Sequence, residues 1–421
     1  MLKSFLQRLR LVARKLWVRV VLISVLSIVA VLASKLIGPF LPDGLDRRIG
    51  AQSVDQLLDI LSSSMLAVTT FSLSVMVSVH RSVSSQWTPR AHRVQLRDQG
   101  TQITLATFVG AFVYALCSIV LRSASAFSDR DIVVLFAMTL VVIVLVVVML
   151  VRWLLRLQTM GSLADTAGRI TDLTRRAYTD RMAHPCLGAR RLDPDLVLPP
   201  GTRDLRADRS GYVLRIFPSA IDERAEGCGG RAYLLKGVGD YVNRGEVIAH
   251  ITDPVLEDSI RGNVQIGSMR DIEQDPGFGL HVLAEIASKA LSPGVNDGGT
   301  AIDMIDRMTG ILDSVWEAQD APAHPPIYPN LYLPPLHTGA MVTRPFGLIA
   351  RDGAAVLEVQ MVLQSRLAAL AKHPDPGIAS AAAALRDTAL QRALAALPHQ
   401  VDRDVLADHA AALTKSADPA G

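Results

Sequence analysis

Four long runs without a single charged residue, 20–34, 60–79, 103–121 and 132–151, decide most of what this chain can fold into. A helix crosses a bilayer with roughly 20 apolar residues. The second, third and fourth runs meet that length or come within a residue of it. The first meets it if Arg19 and Lys35 snorkel to the two interfaces. The spacing therefore predicts four transmembrane helices, at about 16–41, 57–80, 103–122 and 131–155. Half of the 421 residues are hydrophobic, too many for an ordinary water-soluble protein, and the excess lies in this first part.

Charge at the flanks predicts orientation. Residues 1–19 hold six basic groups and no acid. The connection after the second run holds Arg81, Arg90, Arg93 and Arg97 against Asp98 alone, and arginines again follow the fourth run. The connections after the first and third runs balance arginine with aspartate. Four spans with both termini in the cytoplasm satisfy this pattern. A cleaved leader is the weaker reading of the first run, because no small-x-small site follows it. Cys117, Cys186 and Cys228 are too scattered for a disulfide framework or a zinc site. The basic rim suits lipid headgroups, so the bilayer is the first expected partner. It lacks the interleaved aromatics of a nucleic-acid surface, and no nucleic-acid binding is expected.

The second run differs from its neighbours. Ser63, Ala67, Thr70, Ser74 and Ser78 fall on one helical face. Such a face serves tight helix packing, where small residues let backbones approach. It also serves as the lining of a water-filled path repeated around a homo-oligomer. Both readings stay open at this stage. Asp55 and Asp59 stand at its outer end, either as an acidic mouth or as ordinary helix N-terminal charges.

Beyond residue 157 the chain reads as a cytoplasmic α+β domain. A juxtamembrane helix and linker are expected at 158–209 and a small β module at 210–270. A helical segment follows at 271–318, then a proline-rich connection at 319–346 and C-terminal helices at 347–421. The run SGYV…GDYVNRGEVIAHI resembles the barrel-sandwich hybrid of biotinyl and lipoyl carrier domains. Residues 217–231 contain no lysine to carry a modification, so the resemblance implies a small β-barrel-like module and no swinging arm.

The most organised stretch is EQDPGFGLHVLAEIASKALSPGVNDGGTA, residues 273–301. Asp275-Pro276-Gly277 is a turn, and Leu280, Leu283, Ala284, Ala287 and Leu291 recur at helical spacing. Ser292-Pro293-Gly294 breaks that helix. Asn296 or Asp297 caps the next one, expected at about 300–312. Glu273, Asp275 and Asp297 form the densest acidic set. They fit a hard cation less well than helix caps and pairs with Arg270 and Lys289. His281 and Glu285, one helical turn apart, have zinc-compatible spacing, and no metal is assigned. Gly298-Gly299-Thr300 lacks the lysine and preceding strand of a P-loop. No nucleophile–base set stands out, and neither an enzyme nor a cofactor is expected.

Together with SSQWTPR after the second run and the four preceding spans, this stretch resembles the bacterial membrane proteins catalogued as domain of unknown function 2254. Arg270, Glu273, Gln274, Asp275, Ser292, Pro293, Asn296, Asp297 and Thr300 match its signature. Asp271 and Gly298-Gly299 depart from it, where threonine and a larger pair are expected. The resemblance implies an inner-membrane home and an architecture, and it brings no activity. The readings left are a homo-oligomeric channel or transport-related protein with a cytoplasmic regulatory domain, a non-conducting scaffold or sensor, and, last, a membrane-bound enzyme.

Overall fold

The computed structural model describes scattered positions between 18 and 33 and residues 51–86, 88–91, 99–124, 131–157, 162–315 and 325–415. The expected first span lies almost wholly outside the described residues. So do the N-terminal basic cluster and the beginning of the proline-rich connection. The described chain forms two units. One comprises the helices up to residue 165. The other comprises residues 166–415 together with the short segment 88–91.

In the first unit three helices are long and apolar enough to cross a membrane. These are α1 (Ala51–Gln86), α2 (Gln99–Ser123) and α3 (Asp131–Leu157). Each outruns the charge-free run that announced it, because helical hydrogen bonding continues into the polar flanks. Val54, Leu58, Leu61 and Met65 of α1 pack with Phe108, Ala111 and Tyr114 of α2 and Leu135, Val142 and Trp153 of α3. Two polar pairs also join these helices. Tyr114 shares a 3.2 Å hydrogen bond with Thr139. Arg122 at the end of α2 holds Asp55 at 2.8 Å, which makes Asp55 an ion-pair partner between two helices.

The second unit is α+β with a mixed sheet. After α4 (Leu163–Ala183) come β1 (Ala189–Arg191), β2 (Arg203–Arg206), β3 (Gly211–Ile216), α5 (Pro218–Cys228), β4 (Ala232–Leu234), β5 (Tyr241–Val242), β6 (Val247–Ile251), α6 (Leu256–Asn263) and β7 (Val264–Gly267). The helical part follows as α7 (Pro276–Ala290) and α8 (Gly298–Leu312). Strand β8 (Tyr328–Leu333) comes next, and then α9 (Ala340–Asp352), α10 (Leu357–Leu370), α11 (Pro376–Ala396) and α12 (Gln400–Lys415). Five strands run in the order β1-β8-β4-β6-β2, and three in the order β5-β3-β7. Strand β8 is parallel to both its neighbours, and the other pairings are antiparallel. One apolar core, including Leu205, Val213, Ile216, Leu234, Val242, Ile251, Ile260 and Leu331, serves both sheets.

Two boundaries differ from the sequence reading. The stretch read as a linker contributes β1 and β2. The proline-rich connection contributes β8 and the start of α9. Both strands of the linker are four residues or fewer and burial-poor, so no alternation marks them. In YPNLYL a proline occupies an exposed position that needs no ladder donor. The expected β module also holds two helices, α5 and α6, the first opened by Pro218 at its first turn.

Candidate functional site

Helix α7 is the centre of the second unit. Asp275 caps it, accepting from the Phe278 N–H at 3.0 Å, and Pro276 occupies its first turn. Phe278, Leu280, Val282, Leu283, Ile286, Ala287 and Ala290 are all buried. Burial on nearly every side, more than one apolar stripe provides, marks a core helix. His281, Glu285 and Ser288 keep partial access on the remaining side.

The signature residues form a clasp in front of this helix. The Arg270 guanidinium grips the Asp275 carboxylate with two bonds, at 2.8 and 2.9 Å, and lies over the Phe278 ring. Burial pushes the Asp275 carboxyl up, and Arg270 pulls it back. The forked geometry is that of an ionised carboxylate. Gln274 pairs with both backbone groups of Ile216, accepting from its N–H at 3.0 Å and donating to its carbonyl at 3.2 Å. It thereby prolongs the sheet by one side chain. Arg215 on β3 pairs with Glu273 and, at 3.4 Å, with Asp271. Asp271 thus supplies a second carboxylate to that arginine. Gly239, at φ 94°, presses against Asp275, and a Cβ there would lie 2.6 Å from its Oδ2.

The break after α7 is equally ordered. The Ser292 hydroxyl donates to the Lys289 carbonyl at 2.7 Å, and Pro293 occupies the turn between the two helices. Asn296 adopts φ 52°. Asp297 caps α8, accepting the Thr300 N–H at 2.9 Å and its hydroxyl at 2.6 Å. These bonds hold the Asp297 carboxyl below its ordinary range. The acids Glu273, Asp275 and Asp297 are therefore engaged by arginines and helix ends. Among the described residues no three His, Cys, Asp or Glu side chains gather as a metal-ligand set.

Capping and left-handed backbone separate by substitution. Asp297→Ala is expected to lower stability by about 0.5–2 kcal/mol. Asn296→Ala is expected to cost about 1 kcal/mol for the left-handed backbone, whereas Asn296→Gly leaves stability unchanged or raised. Thermal melts of the full chain check the order Gly above Ala at position 296.

Several contributors carried no sequence signal. Residue 90 lies in the connection after α1, yet Arg90 pairs with Glu285 on α7. His281 approaches the same carboxylate at 3.3 Å. Burial raises the Glu285 carboxyl, but the His281 hydrogen bond and the Arg90 charge outweigh it and leave the group lowered. A lowered carboxylate contributes stability above its unfolded pKa of about 4.3, and loses it as pH falls through the folded value. Glu285→Gln is thus expected to lower the melting temperature at pH 7. The difference from the parent narrows as the pH falls through the lowered folded value; a gap that does not narrow on acidification contradicts the ion pair.

The hydroxyl face of α1 lies opposite its packed face. Ser63, Thr70, Ser74 and Ser78 are exposed, as is Ala67, while Leu58, Leu61, Met65 and Ser72 are buried on the other side. Ser63 donates to the Asp59 carbonyl at 2.8 Å, Thr70 to that of Leu66 at 2.9 Å and Ser74 to that of Thr70 at 3.0 Å. Leu66, Phe71, Leu73 and Val77 of α1 are exposed beside the hydroxyls, and on α3 the exposed face is Leu140, Val141, Val144, Val147, Val148 and Val151 throughout.

An uncharacterised protein of Mycobacterium tuberculosis is 27% identical over 269 residues, covering 61% of this chain and 51% of the relative. An uncharacterised protein of Mycobacterium bovis matches to the same extent. The chain spans about half the length of these curated relatives. No solved structure matches. The model of a family described as predicted membrane protein, DUF2254, matches residues 13–369, and the chain belongs to that family.

Proposed function

We propose that this protein is a homo-oligomeric channel or transport-related protein of the bacterial inner membrane, in which the hydroxyl face of α1 lines a polar path. In this reading the chain crosses the bilayer four times, with the described α1–α3 as spans two to four and both termini in the cytoplasm. The second unit is its cytoplasmic regulatory domain, with the two sheets around their shared core as a barrel-like module. The bilayer and further copies of the chain are its partners, and no nucleic acid, cofactor or catalysis is involved.

One observation carries the reading. Ser63, Ala67, Thr70, Ser74 and Ser78 of α1 are turned away from α2 and α3, so they do not serve packing within the described protomer. A lipid-facing helix has no use for such a stripe, and α3 shows the greasy alternative. Hydroxyls that donate to their own i−4 carbonyls are satisfied in an apolar medium. Their oxygens still accept. A ring of these faces therefore presents acceptors, a lining that favours cations or water over anions. The pairing of Arg90 with Glu285 supports the orientation, since it brings the connection after α1 into the same unit as the cytoplasmic residues.

Cysteine reactivity tests the path. With Cys117 replaced by alanine, single cysteines at Ser63, Thr70, Ser74 and Ser78 are expected to react with a small hydrophilic thiol reagent in intact cells. A cysteine at Leu73, exposed but about 100° from Ser74 around the helix, is expected to stay silent. Silence at all five positions overturns the channel reading and leaves the scaffold or sensor.

A further inference from the structure

Among the described residues Arg181 has no hydrogen-bond or ion-pair partner in the interior of the second unit. It is 5% exposed. Its Nε is sealed from solvent with no hydrogen bond, and no carboxylate among the described residues lies within ion-pair distance. Burial lowers its pKa, yet a guanidinium keeps its proton in any protein. A buried charge left unpaired costs several kcal/mol. Such a group in a native fold asks for a missing partner, and an ion is one of the few that fit.

Its position says which partner. Thr174 of α4 rests on Gly279 of α7, so closely that a Cβ on the glycine would meet its Oγ1 at 2.0 Å. Arg181 lies seven residues on, two turns along the same face of α4. Asp275, the cap of α7, lies one turn before Gly279, and its carboxylate offsets part of the effect of burial on the Arg181 guanidinium. Arg181 therefore serves the N-terminal end of α7, where the helix dipole also favours negative charge. The other charges there are matched. Asp275 belongs to Arg270, and Asp271 and Glu273 belong to Arg215. Arg270 spends Nε and one terminal nitrogen on Asp275, leaving Nη1 of its fork unspent among the described residues.

We propose that Arg181 and Arg270 bind a phosphate group at the N-terminal end of α7. Guanidinium forks match the several oxygens of phosphate, which chloride lacks. Free phosphate and the terminal phosphate of a larger molecule share this chemistry. The site concerns a ligand of the soluble unit and is independent of the path along α1.

The test is a thermal titration of the full chain in detergent at constant ionic strength. Inorganic phosphate is one arm, a short-chain phosphatidic acid the second and chloride the reference. The parent is expected to gain about 5 °C, saturably, at a phosphate concentration roughly a hundredfold above Kd. Arg181→Met is expected to melt no lower than the parent without phosphate, because it removes an unpaired buried charge, and to lose the gain. Arg181→Lys keeps the charge without the fork and is expected to need several-fold more phosphate; it decides the matter if the methionine variant does not fold. Arg175→Met, on the exposed side of α4, keeps the gain. A response to phosphatidic acid alone assigns the phosphate to a lipid headgroup. No response in either arm overturns the proposal, as does a gain that survives both substitutions at Arg181.

Discussion

Asp275→Ala will lower the melting temperature of the full chain by about 10 °C, from a loss of about 3–5 kcal/mol spread over a unit of this size. Two things go together. Helix α7 loses its cap, and the part-buried Arg270 guanidinium loses the carboxylate that holds it. Asp275→Asn separates them, because asparagine caps as well as aspartate but does not neutralise a guanidinium. Most of the loss is expected to remain in the asparagine variant. Removing both partners, as in Asp275→Ala with Arg270→Met, should cost less than the sum of the single changes. Equal melting temperatures for Asp275→Asn and the parent would assign the residue to capping alone.

Gly279→Ala is the second large effect, at about 3 kcal/mol. The added Cβ meets the Thr174 Oγ1 at 2.0 Å and its Cβ and Cγ2 at 2.8 Å, so α4 and α7 must separate. Neither helix has room to yield, since the facing residues of both are buried. Thr174→Ala in the same chain removes the two atoms that can be spared and should recover most of the loss. Denaturant melts of the single and double variants measure this recovery. Losses that simply add would place the two residues out of contact.

The membrane helices were legible because lipid makes a single demand, an apolar run of sufficient length, and three such runs are helices here. Helix α7 and its successor were legible too. Asp275, Pro276, Pro293 and Asp297 act through their own backbone neighbourhood, and local chemistry is written locally. What sequence could not show is distance along the chain turned into proximity. Arg90 meets Glu285 across 195 residues, and Thr174 meets Gly279 across two helices. Strand β8 joins a sheet whose other members end at Ile251. Short strands with a proline or an arginine pair carry no alternation, so 203–206 and 328–333 read as irregular. Gly239 sat in the legible turn GVGD, but nothing there announced that a carboxylate lies against it.

The exposed stripe on α1 was also half legible. Spacing placed Ser63, Thr70, Ser74 and Ser78 on one face, and only the packed bundle tells which side that face takes. In the proposed channel these faces meet around an axis. A density map of the full chain purified in detergent tests this directly. A particle with closed rotational symmetry is expected, with Thr70 and Ser74 of every copy turned to the axis. A monomer, or a symmetric particle whose α1 stripes face the surrounding detergent, would contradict it.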